Sequence, residues 1–147
     1  RFSDYIDAPE NAGALGQGLP LGDPQALGAI RINPLSPDPA YVEMLRQTHY
    51  QDTPPDRFDR WRSALSPDLP LAIPTTPVIV TPRRWGRVPR TFLRCADDRA
   101  LPTAVQDLMI AETDRAMPGN PFTVRTLPGS HSPFATRPRE LAAALLP

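Results

Sequence analysis

Apolar residues in this chain recur with helical spacing in two early segments and with a different rhythm after residue 88. "DPAYVEMLRQTHY" predicts a helix. Asp38 can cap it, Pro39 suits its first turn, and Tyr41, Met44, Leu45 and Thr48 fall on one face. "TPPDRFDRWRSALS" predicts a second amphipathic helix, with Phe58, Trp61 and Leu65 in a stripe and Arg57, Arg60 and Arg62 turned elsewhere. Residues 1–39 show no sustained period and read as irregular, broken by Gly, Pro and the turn cluster "NPLSPDP". "PDLPLAIPTTPVIVTP" is apolar, but its prolines forbid a long regular element.

From Val88 onward the order is strand, loop, helix, strand, loop, helix. "VPRTFLRCA" and "PFTVRTL" read as strands. "LPTAVQDLMIAETDRAM" reads as the helix between them, with Val105, Leu108 and Met109 near one stripe. "RPRELAAALL" closes the chain, with Pro138 in its first turn. This is the grammar of an α/β fold, a parallel sheet with crossover helices. A parallel sheet is covered on both faces and typically holds about 4–6 strands. Two strands fall short of that, so the rest of the sheet is expected from a companion segment, without which the chain is neither stably folded nor active.

Composition narrows the chemistry. At 147 residues the length suits one core. The formal net charge is zero, which argues against nucleic acid or an anionic membrane as partner. Every basic side chain is arginine, so Schiff-base and P-loop lysine chemistry are excluded. The 21 prolines stand well above the average of about 5%, and most precede residue 90, making that part loop-rich. One cysteine and two histidines give no disulfide and no transition-metal set, and no cofactor is expected. No apolar run approaches the roughly 20 residues of a membrane span. "RFSDYIDAPE" is not a signal peptide, so a cytoplasmic location is expected. Homo-oligomerisation stays open.

In open α/β sheets, working residues sit in loops at the carboxyl ends of strands. One such loop carries Asp97 and Asp98, and the other carries His131 in "LPGSHSPF". Acid then histidine is the second and third step of a Ser…Asp…His order. Between Asp98 and His131 there is room for one helix and one strand, the crossover that brings the loops together. Plainer readings stand beside this. A histidine in a Gly/Ser/Pro loop is commonly a solvated surface residue, and an Asp pair after a strand is commonly a helix cap. His49 reads only as a late helix residue, and Cys95 as a buried strand residue with no activator for its thiol.

"RRWGRVPRTFLRCADDRALPTAVQDLMI" and "VRTLPGSHSPFATRPRELAAALL" together resemble the C-terminal part of the α/β-hydrolase fold, and within it the methylesterase and hydroxynitrile lyase branch. The resemblance covers about residues 83–146. It implies Asp98 as the triad acid, with Asp97 as runner-up, and His131 as the base. It places residues 1–75 as a proline-rich, mostly helical cap and 76–147 as the C-terminal part of the core. The substrate it implies is a small carboxylic ester, with a methyl ester the leading guess. Tyr41, Met44, Phe58 and Trp61 would line an apolar acyl pocket or simply build core. The family's serine elbow and oxyanion-hole amides have no counterpart in this sequence and would come from a preceding segment or companion chain. The lyase activity is associated with a lysine after the histidine, where this chain has Ser132. A binding or assembly module that kept the fold without the nucleophile is the non-enzymatic alternative.

Overall fold

The computed structural model describes residues 1–146. The first part is built from short pieces: α1 (Phe2–Ile6), a 3-10 turn at Pro9–Asn11, α2 (Pro24–Leu27) and β1 (Ala29–Arg31). These lie where the sequence has no period, and none exceeds five residues, too short to leave a periodic signature. Next come α3 (Pro39–His49), α4 (Pro55–Ser63), β2 (Asp68–Pro70) and α5 (Ala72–Thr75). As expected, the Asp38 carboxylate caps α3 by accepting from the Ala40 N–H at 2.9 Å, with Pro39 in the first turn. β1 and β2 form an antiparallel ribbon, Ile30 opposite Leu69, fastened by a bidentate Arg31–Asp68 pair at 2.7 and 2.8 Å.

The second part holds β3 (Thr91–Cys95), α6 (Thr103–Ala116), β4 (Thr123–Leu127), α7 (Pro133–Thr136) and α8 (Pro138–Leu145). β3 and β4 are parallel, with Thr91 opposite Thr123 and Cys95 opposite Leu127, and α6 is their crossover. The fold is therefore α/β, a parallel pair with flanking helices. The ladder runs past the strands. Ala96 N–H donates to Leu127 C=O at 2.9 Å, and Asp97 N–H to Gly129 C=O at 3.0 Å. The loops that leave the two strands are thus tied together backbone to backbone.

The other edge of β3 faces no strand among the described residues. Its last residue, Cys95, is instead paired by the Gln106 side chain of α6. The Gln106 amide oxygen accepts from Cys95 N–H at 3.0 Å, and its NH2 donates to Cys95 C=O at 3.0 Å and to Leu101 C=O at 2.8 Å. Gln106 is buried beside Val105, so this polar group takes a place on the inward face that the apolar stripe alone does not reveal.

The main core gathers Leu19, Leu45, Tyr50, Phe58 and Ala135, with Ile32, Tyr41, Val42 and Leu65 packed against it. Ala135 belongs to α7, so the cluster joins both parts of the chain. Trp61 of α4 meets Phe134 edge to face at 5.1 Å, outside the centre of that core. Among the described residues, no helix is long and apolar enough to cross a membrane.

Candidate active site

The site forms where β3 and β4 end. After Cys95 the chain turns through Ala96, Asp97 and Asp98. Asp98 shapes its own turn: Oδ1 accepts from the N–H groups of Ala100 and Leu101 at 2.9 and 2.8 Å. Its other oxygen, Oδ2, lies 2.8 Å from His131 Nδ1. The Asp98 side chain is 4% exposed, while the imidazole keeps 41% of its surface open. A carboxylate only accepts, so the proton of a neutral His131 sits on Nδ1 and Nε2 is left with a free lone pair. The acid fixes the tautomer and leaves Nε2 as the basic nitrogen of the ring.

Asp97 has a different task from the helix capping expected of it. Its Oδ2 accepts from Gly129 N–H at 3.0 Å, across to the other loop. α6 begins at Thr103 behind Pro102 with no side-chain cap, and the intervening turn is already satisfied by Asp98. Gly129 has φ +105°, a conformation that favours glycine, and a Cβ there would stand 2.5 Å from Asp52 Oδ2. The loop can pass this closely only without a side chain at that position.

Next to His131 stands a residue the sequence pattern assigned to a helix end and nothing more. The His49 ring lies 5.3 Å from that of His131, centroid to centroid, at 78°. Burial, reinforced by neighbouring His131, pulls its pKa down to about 4, so it is neutral at pH 7. His49 also lines an apolar cavity of about 330 Å³ with Leu15, Leu19, Ile30, Ile32 and Leu69. The expected pocket residues Tyr41, Met44, Phe58 and Trp61 do not line it; Phe58 and Tyr41 belong to the core instead. Most of its apolar wall is drawn from the segment without periodicity, where no sequence signal marked it. A wider concavity of about 620 Å³, between Gly86, Met117 and Asn120, lies at the opposite end of the parallel pair.

Cys95 is half-buried at the end of β3, and burial pushes its thiol pKa up, the wrong direction for a nucleophile. Ser130 and Ser132 flank His131 but are buried, and the imidazole's hydrogen bond goes to Asp98. The arrangement provides a carboxylate-oriented, partly exposed imidazole beside an apolar cavity.

Comparison with known proteins bears on the fold. The Alpha/beta hydrolase family profile matches residues 5–144. A solved structure of the pyrethroid hydrolase PytH with BIF is similar over 97% of this chain, with a TM-score of 0.63 and 23% identity. The chain spans 52% of that protein's chain, about half its length. At such identity the likeness carries the fold alone. No curated protein sequence matches the chain. With the parallel pair, its crossover and nearly the whole chain inside the family match, the chain belongs to the alpha/beta hydrolase family.

Proposed function

We propose that this chain supplies the acid and the base of a serine hydrolase acting on small carboxylic esters, with methyl esters as the first class to test. The observation that carries the reading is the Asp98–His131 pair, joined at 2.8 Å where two parallel strands end. The nucleophilic serine and the oxyanion-hole amides come from a further segment or companion chain; the solved relative is about twice as long as this chain. Residues 1–75 act as the lid and 76–147 as part of the core, with the cavity beside His49 taking the apolar part of the substrate.

The steps follow from the tautomer. Nε2 of His131 takes the serine hydroxyl proton as the oxygen attacks the ester carbonyl carbon. Asp98 stabilises the imidazolium across the Nδ1–H bond. The imidazolium then protonates the departing alkoxide as the tetrahedral intermediate collapses to acyl-serine and alcohol. Water attacks the acyl-serine with His131 again as base, releasing the carboxylic acid and restoring the serine. Ser132, where the lyase branch has lysine, favours hydrolysis over cyanohydrin cleavage.

The test joins the chain to its serine-bearing segment and assays a panel of methyl and short-chain esters. His131→Ala is expected to remove nearly all turnover while leaving the melt close to the parent's, because a loop histidine carries little core. Turnover within tenfold of the parent would end the reading and favour a non-catalytic module.

A further inference from the structure

The turn after α3, residues 50–53, belongs to the lid part of the chain, yet it reaches both loops of the site. Gln51 Nε2 donates to the Asp97 backbone C=O at 2.5 Å. Asp52 Oδ2 accepts from Ser130 N–H at 3.3 Å and from the Thr136 hydroxyl at 3.4 Å, and faces Arg137 Nε at 3.9 Å. One carboxylate therefore holds the chain on both sides of His131, one residue before it and five to six after. The Oδ1 of Asp52 and the Nε of Arg137 are both buried without a hydrogen-bond partner. The turn is itself fixed: Tyr50 and Thr53 are 4% and 3% exposed, and Thr53 N–H donates to Tyr50 C=O at 2.9 Å.

We propose that Asp52 is a positioning residue for His131, acting through Ser130 N–H and Arg137, with Gln51 serving the acid loop through the Asp97 carbonyl. The Asp98–His131 bond spans two loops whose direct ties are backbone contacts and the Asp97–Gly129 bond. Gln51 and Asp52 are adjacent, so their turn is a brace that fixes the spacing between the loops from outside the sheet. Gly129 is the complement of this brace, since a Cβ at that position would collide with Asp52. The inference rests on the reading of His131 as the base, but its effect on the imidazole is measurable without turnover.

The test uses the protein together with its serine-bearing segment. Two readouts are the kinetic constants and the proton resonance of His131 Nδ1–H, the hydrogen bond to Asp98. In Asp52→Ala, kcat should fall about 10- to 100-fold with KM within about threefold, because a displacement near 1 Å at a reacting group has that cost. The Nδ1–H resonance should broaden or vanish while the melt stays cooperative. Asp52→Asn keeps an oxygen for Ser130 N–H and should return kcat to within about fivefold and restore the resonance. Parent-like kcat and resonance in a folded Asp52→Ala would overturn the proposal, as would Asp52→Asn as damaged as Asp52→Ala. Should Asp52→Ala not fold, Gln51→Ala removes only the bond to Asp97 and carries the test. A kcat at least threefold lower with a weakened resonance supports the brace, and unchanged values overturn it. A parent without ester turnover would defeat the hydrolase reading alone, leaving the resonance to decide the positioning role.

Discussion

His49 makes the protein's stability depend on mild acid in a way that one substitution should remove. In the fold its pKa is held at about 4, chiefly by burial and secondarily by His131, while the Leu45 backbone and then Asp98 pull the other way. In the unfolded chain a histidine titrates near 6.5. Between those two values the unfolded state binds more protons, so stability rises with pH through this window and is lost as pH falls. Above about 6.5 the group is neutral in both states and contributes nothing. The full difference of about 2.5 pKa units corresponds to about 3.4 kcal/mol, and at pH 5 about 2 kcal/mol of it has already been lost. Marginal stabilities of about 5–15 kcal/mol make that loss easy to see. The variant is His49→Phe, which keeps a ring against His131 and the cavity wall but cannot titrate. Urea melts of parent and variant, each joined to the serine-bearing segment, at pH 7.5, 6.5, 5.5 and 5.0 give two curves of unfolding free energy. Other acid-titrating groups are common to both, so apart from the coupling between His49 and His131 their effect cancels in the difference. The parent should lose about 2 kcal/mol more than His49→Phe between pH 7.5 and pH 5. Parallel curves, within about 0.5 kcal/mol at every pH, would refute the claim that His49 is held neutral by its surroundings.

Two further predictions concern the pair of aspartates and a buried arginine. Asp98→Asn should keep the turn bonds to Ala100 and Leu101 but present an NH2 to His131 Nδ1, moving the imidazole proton to Nε2; kcat should fall about 10⁴-fold with little change in the melt. Asp97→Asn should act mainly on stability, since its carboxylate serves Gly129 N–H, and a larger kinetic loss for Asp97→Asn than for Asp98→Asn would reverse the assignment. Arg90 is 8% exposed, its guanidinium 4.2 Å from the Trp85 ring and 4.9 Å from that of Phe122, and bonded to the Asn120 carbonyl. Arg90→Lys loses the planar stacking and should lower stability by about 2 kcal/mol, read from denaturant melts; an unchanged midpoint would contradict it.

What could be read in the sequence was whatever local rules govern. α3 announces itself by Asp38, Pro39 and its apolar face, and α6 and the two strands by a change of period. Strand ends and chain order set the Asp97–Asp98 pair opposite His131, the family resemblance singled out Asp98, and Asp98 and His131 meet at 2.8 Å. Three features escaped for one reason: their cause lies far along the chain. His49, at the end of α3, gains its meaning from a neighbour on a distant loop, and Asp97 pairs across to Gly129 rather than with the helix that follows it. The cavity wall comes from Leu15, Leu19, Ile30 and Leu69, on elements of three to five residues or on none, which tertiary contacts hold and no periodicity announces.

The side chain of Gln106 has a consequence for how the sheet can grow. In a parallel ladder, successive residues offer their N–H and C=O groups to alternate sides. Arg90 and Ala96 face β4, so Thr91, Leu93 and Cys95 face outward. With Cys95 occupied by the Gln106 amide, only Thr91 and Leu93 remain as docking rungs. A strand that adds to this side must leave the sheet before it reaches Cys95, one step short of the loop that carries Asp97 and Asp98. Gln106 therefore acts as a stop: it sets the height at which a neighbouring strand turns away, and it keeps the ground above Cys95 clear for whatever loop that strand carries.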